Sequence, residues 1–142
     1  FRSIGPYVKT IGRQRIGAKG AWDVYVNGRT PTLGAGVLVL TKHDDVIWFL
    51  DDDYSRVGPA ILDLDYRVAE DGAVTFTVRT ASGTGWTPAK GARIRVDGVA
   101  VGTTGARGTL TITPSGDWDE AIATQKGAIR SQRVIESPVD AD

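Results

Sequence analysis

The residues able to do acid–base or ligating chemistry are few and fall into small groups. Asp44, Asp45, Asp51, Asp52 and Asp53 gather five carboxylates around one short apolar run. Converging carboxylate oxygens at about 2.3–2.6 Å are what a calcium ion takes as ligands. The run between the two groups, residues 46–50, would as a strand hold them about 17 Å apart, too far for one ion. Asp51-Asp52-Asp53 alone lacks the glycine and distal glutamate of an EF-hand loop. Two solvated loops account for the cluster. His43, the single histidine, stands next to Asp44 and Asp45 in the manner of a general base beside an acidic orienter. No Gly-x-Ser-x-Gly segment marks a nucleophile for it, and an exposed turn explains it. Asp63 and Asp65 lie two apart and share a strand face, as the paired carboxylates of a glycosidase would. The solvent face of a half-buried strand explains the pair without chemistry. The glycines of 102–108 are followed by neither Gly-Lys-Ser/Thr nor a helix, so a phosphate loop is not expected. No catalytic residue, metal or cofactor is expected, and the chain reads as non-enzymatic.

Aromatic residues offer binding rather than catalysis. Trp22, Tyr25, Trp48 and Tyr54 could form a platform for a flat or sugar-like ligand, although aromatics at strand spacing also serve a core. Trp86, inside Gly83-Thr84-Gly85-Trp86-Thr87-Pro88, is expected in a loop, where an exposed indole marks a contact surface.

The composition narrows the classes further. The chain has 142 residues, 17 Lys+Arg against 17 Asp+Glu, and formal net charge zero. It therefore lacks the basic excess with which nucleic-acid binders displace counterions. It also lacks the run of about 20 apolar residues that a membrane-spanning helix needs. At 41% hydrophobic and 24% charged it is globular. There is no cysteine, hence no disulfide, thiolate metal site or thiol nucleophile. Lacking methionine as well, the chain holds little that oxidises easily, which suits a secreted or cell-surface setting. For the same reason it is expected to have lost an upstream segment that carried its initiator. Its 18 glycines and its abundance of Thr, Val, Asp and Arg have the look of a GC-rich bacterial genome.

The elements that would position these residues are almost all strands. Period-two alternation runs through 21–26, 61–68 and 74–78, and short apolar runs occupy 36–40 and 46–50. Ile94 and Val96, Leu110 and Ile112, Ala121 and Ala123, and a last strand over 129–135 continue the pattern. Turn dipeptides punctuate it: Asn27-Gly28, Asp71-Gly72, Asp97-Gly98, Ser115-Gly116 and Lys126-Gly127. No stretch carries a capped apolar helical face. Two parts are expected, 1–58 and 59–142, with the seam near Gly58-Pro59; the second has enough strands for a sandwich. A piece of about 60 residues buries little apolar surface, so the first part needs the second or a partner.

Two resemblances sharpen this reading. The run Lys19-Gly20-Ala21-Trp22-Asp23-Val24-Tyr25-Val26-Asn27-Gly28, then 36–40, then Asp44-Asp45-Val46-Ile47-Trp48-Phe49, resembles the DUF4430 family. That family is a β-grasp-like module related to the C-terminal β-domain of transcobalamin and intrinsic factor. Asp44 stands where the family usually has glycine, and only about 20 residues precede Trp22 where a strand and a helix would come. The resemblance thus implies a partial grasp completed by an upstream piece or by a neighbouring copy. The cobalamin-transport relatives cover a corrinoid with this domain, which brings a small-ligand role into view for the aromatic positions. The second part is similar to bacterial immunoglobulin-like or carboxypeptidase-regulatory-like domains. The similarity lies in Pro88-Ala89-Lys90-Gly91-Ala92-Arg93-Ile94-Arg95-Val96-Asp97-Gly98, in 102–110 and in 123–131.

The expectation is thus a mainly β chain, a partial β-grasp-like sheet followed by an immunoglobulin-like β-sandwich. Its expected role is extracellular binding or assembly through sheet edges, with a protein partner or further copies of itself. The alternative is a small-ligand module for a corrinoid or a glycan.

Overall fold

A computed structural model of the chain describes residues 10–33, 35–51, 59–82 and 85–136. Where the sequence alternates strictly, strands form, and the molecule is mainly β with several sheets. The chain divides into two compact units, Phe1–Pro59 and Ala60–Asp142.

The first unit contains a small hairpin, β1 (Thr10–Ile11) with β2 (Gln14–Arg15), and a longer ribbon, β3 (Ala21–Val26) with β4 (Val46–Asp51). The ribbon is antiparallel and in register over six pairs, from Ala21↔Asp51 to Val26↔Val46. Asn27 (φ 52°) and Gly28 (φ 75°) make the tight turn that follows β3, with Val26 and Arg29 exchanging both backbone hydrogen bonds. The positive φ at two successive positions is why Asn-Gly stands there. A strand over 36–40 was expected and does not form. The hairpin ladder stops after Arg29 because Pro31, two residues on, has no N–H to donate. The chain instead makes a short 3-10 turn, Ala35–Val37, and runs on without strand to β4.

The second unit consists of two sheets. In the first, β6 (Val74–Ser82) lies beside β5 (Ala60–Val68) in an eight-pair antiparallel register. The other side of β6 is shared: β7 (Gly85–Pro88) covers its second half and β10 (Thr109–Ile112) its first. The changeover falls at Val78, whose N–H donates to Gly108 O and whose carbonyl accepts from Ala89 N. Gly108 (φ +73°) fills this gap, and a Cβ there would overlap the Val78 carbonyl oxygen. The second sheet runs β13 (Val134–Ile135), β11 (Glu120–Thr124), β8 (Arg93–Val96), β9 (Val99–Thr103), all antiparallel. One continuous last strand over 129–135 was expected; the segment is split. β12 (Ala128–Ile129) adds in parallel to the start of β5, and β13 belongs to the other sheet. Ser131 causes the break: it is fully buried, its Oγ accepts from Ala123 N and donates to Gln132 O, and its own N–H donates to Ala123 O.

Inward residues of both sheets make one core, with Leu62, Leu64, Val74, Phe76 and Val78 from one and Ile94, Ala121 and Ala123 from the other. Trp118, which lies on no strand, is part of it and meets Tyr66 and Phe76 edge-on at 5.1 and 5.7 Å between ring centroids. Buried Thr104 ties the turn before β8, its hydroxyl donating to Ala89 O and accepting from Ala92 N at 2.9 Å.

Candidate functional site

Pairing in the ribbon decides which aromatics of the first unit meet. Trp22 lies opposite Leu50 and Trp48 opposite Val24, so both tryptophans stand on one face, diagonal to each other. Tyr25 is opposite Ile47 on the other face and stacks on Phe49 at 4.9 Å with 16° between the rings. The structure therefore brings Trp22 and Trp48 together and places Tyr25 behind them. Tyr54 lies outside the described residues, as do Asp52 and Asp53. Trp48 is exposed, whereas the Trp22 indole N–H is buried and has no hydrogen-bond partner among the described residues.

The acidic group of this unit divides by role. Asp44 accepts from Thr41 N at 2.7 Å and from Asn27 Nδ2 at 2.8 Å, and Asn27 Oδ1 accepts from Asp45 N at 2.9 Å. The Asp44 carboxylate thus pins the turn around His43 to the turn after β3. These hydrogen bonds hold the Asp44 carboxyl below its usual pKa of 3.8. Asp23 and Asp51 share the Tyr25 face near the other end of the ribbon. Burial, and secondarily the charge of Asp51, push the Asp23 carboxyl above 3.8. Among the described residues no three His, Asp or Glu side chains come together that could hold a metal.

Trp86 belongs to the second unit and lies on strand β7, not in a loop. It sits opposite Ala81, whose small side chain leaves the indole 50% exposed. Arg79, next along the same outward face, places its guanidinium carbon 5.9 Å from the indole centroid. Arg79 also pairs with Asp63 at 2.7 Å, and Asp63 accepts from Gln132 Nε2 at 3.0 Å. Asp63 is therefore occupied, while Asp65 accepts from the N–H of Tyr66. The involvement of Arg79 was not visible in the sequence. Its alternation marked it as outward, but its partners are set by cross-strand register.

An unanticipated surface lies on the first unit. Leu33 is exposed, and so are Val37, Val39 and Leu40, Val39 at 88%, in the stretch 36–40 where strand was expected. Their types had suggested burial, and the interruption at Pro31 is what leaves them out.

Among the described residues no helix is long and apolar enough to cross a membrane. No family model, no curated protein and no solved structure matches the chain.

Proposed function

We propose that the chain is a non-enzymatic binding and assembly module of a secreted or cell-surface protein, a component of a filament or larger surface structure that associates through sheet edges. The observation that carries this reading is the segment 36–40. It has the sequence of a strand, Gly36-Val37-Leu38-Val39-Leu40, and makes none, leaving Val37, Val39 and Leu40 exposed in a unit whose two sheets have two strands each among the described residues. Uncharged, β-prone segments of this kind complete themselves by strand pairing with another chain. The second unit offers less: the Gln132 side-chain amide bonds both the N–H and the carbonyl of Leu64, occupying the β5 edge as a neighbouring strand would. The lack of cysteine and methionine favours the extracellular setting. A partial β-grasp-like first unit and an immunoglobulin-like second unit remain the reading of the fold in this proposal.

Light scattering across a concentration series tests it. The native chain is expected to grow in size with concentration and the double variant Val37→Lys, Val39→Lys to stay monomeric. A native chain that is monomeric throughout overturns the assembly reading. A second reading, a small-ligand module, has one observation in its favour: the half-exposed indole of Trp86 beside the Arg79 guanidinium, the combination of flat apolar face and hydrogen-bond donors that suits a sugar ring. Quenching of tryptophan fluorescence by glycans or a corrinoid, lost in Trp86→Ala, would favour that reading instead.

A further inference from the structure

The outward face of the β13-β11-β8-β9 sheet carries an arrangement that neither reading uses. Register places Thr124, Arg93 and Thr103 in one row across β11, β8 and β9, with the arginine in the middle. Beyond Thr124 the chain turns through Gln125 and Lys126, and beside Arg93 it turns through Gly91. Together these six residues line a depression of about 460 Å³. Its walls are fixed. Gln125 Nε2 donates to Lys90 O at 2.8 Å, tying the two turns to each other, and Gly91 N donates to Thr104 O at 2.9 Å.

The charge in this depression is one-sided. Among the described residues two outward cations of the unit have carboxylates: Arg79 meets Asp63 at 2.7 Å and Arg133 meets Glu120 at 3.0 Å. Arg93 and Lys126 have no ion-pair partner among the described residues, and no carboxylate lines the depression. The nearest acidic position along β11, Glu120, is four residues from Thr124, about 13 Å, and is paired. A chain of zero net charge thus concentrates two unpaired cations and two hydroxyls in one concave place.

We propose that this depression is a binding site for an oxyanion carried by a small organic molecule. The Arg93 guanidinium would take a carboxylate, sulfate or phosphate in bidentate fashion, with Lys126 as a second charge and the Thr103 and Thr124 hydroxyls donating from either side. The volume exceeds what an inorganic ion fills and lies in the range of small-ligand sites, about 300–1,000 Å³. The ligand class is therefore an acidic sugar or similar acid, either free or at the end of a polymer.

The test is amide-resolved NMR titration of the full chain with sodium glucuronate, sodium phosphate and glucose. Saturable shifts at Arg93, Thr103, Thr124 and Lys126 with glucuronate, weakened about tenfold or more in Arg93→Ala and in Lys126→Ala and partly restored in Arg93→Lys, are the expected result. Glucuronate binding more tightly than phosphate supports the organic ligand. Phosphate binding as tightly as glucuronate overturns that part and leaves an inorganic-anion site. Equal shifts with glucose, or only drift shared by all residues, overturn the proposal. Both positions substituted lie on exposed surface, and unchanged spectra elsewhere establish that the variants are folded.

Discussion

Gly108 is the residue on which the second unit's strand arrangement turns. With φ +73° and the Val78 carbonyl in the place of its absent Cβ, it carries both a conformational and a packing demand. Gly127 has a similar φ, +79°, but open space around it. Gly127→Ala is expected to cost about 1 kcal/mol from backbone strain alone, and Gly108→Ala clearly more, about 3 kcal/mol, because β7 and β10 must move apart. Urea denaturation of the pair separates the two terms; equal costs would show that the strands adjust freely. In the first unit two carboxylates should pull stability in opposite directions with pH. The folded-state pKa of Asp44 is lowered, so its contribution is present above about 3.8 and lost as pH falls through the folded value. That of Asp23 is raised, so the ionised form opposes folding, and stability is withdrawn as pH rises from about 3.8 through the folded value. Asp44→Asn should therefore speed amide exchange of β3 and β4 at pH 7 with little effect near pH 2. Asp23→Asn should slow exchange at pH 7 and lose that advantage near pH 3. Neither effect could be read from the sequence, where the two residues are simply acids in polar positions; hydrogen bonds from Thr41 N and then from Asn27, 17 residues away, set the one and burial the other.

At the scale of elements, the strands legible in the sequence were those whose alternation reports a single buried face. β5 and β6 are the clearest, with Leu62, Leu64, Val74, Phe76 and Val78 inward and Asp63, Asp65, Thr75, Thr77 and Arg79 outward. The Asn27-Gly28 turn was equally legible, because few other dipeptides adopt its backbone. The failures have local causes. Residues 36–40 have strand residues but no continuing ladder after Pro31. Residues 129–135 look like one strand and are two, because Ser131 spends its hydrogen bonds on the backbone of Ala123 and Gln132. Strand β9 hides in Val99-Ala100-Val101-Gly102, too short and too small to announce itself. Trp118 joins the core from outside any periodic segment, and the Thr124–Arg93–Thr103 row exists only through pairing of residues up to 31 apart. Thr104 shows what such non-periodic residues contribute. Thr104→Val keeps the shape but strips the Ala92 N–H of its side-chain acceptor in a buried place. A loss of about 1–3 kcal/mol is expected, with faster hydrogen exchange at Ala92 than at Ile94 as its local signature.

For the whole molecule, the two units should differ in autonomy. Residues 60–142 hold the core shared by two sheets and are expected to fold cooperatively when expressed alone. Residues 1–59, with two-stranded sheets among the described residues, should show no cooperative transition by themselves. Denaturation of each piece followed by circular dichroism decides this, and a cooperative first piece would remove the reason for it to seek a partner. Since the exposed surface at Val37, Val39 and Leu40 is aliphatic and the net charge is zero, self-association should strengthen in sodium sulfate. Weakening with salt would instead indicate charge pairing. The parallel contact of β12 with β5 has a mechanical consequence. Ala60 and Ile61 open the second unit, and Ala128 and Ile129 lie alongside them pointing the same way. Tension entering the unit before residue 60 and leaving beyond residue 129 drags the two strands lengthwise in opposite directions. Their hydrogen bonds are then sheared together, whereas a hairpin pulled at its open end unzips one bond at a time. The unit is strung so that a steady pull meets its pairing side-on.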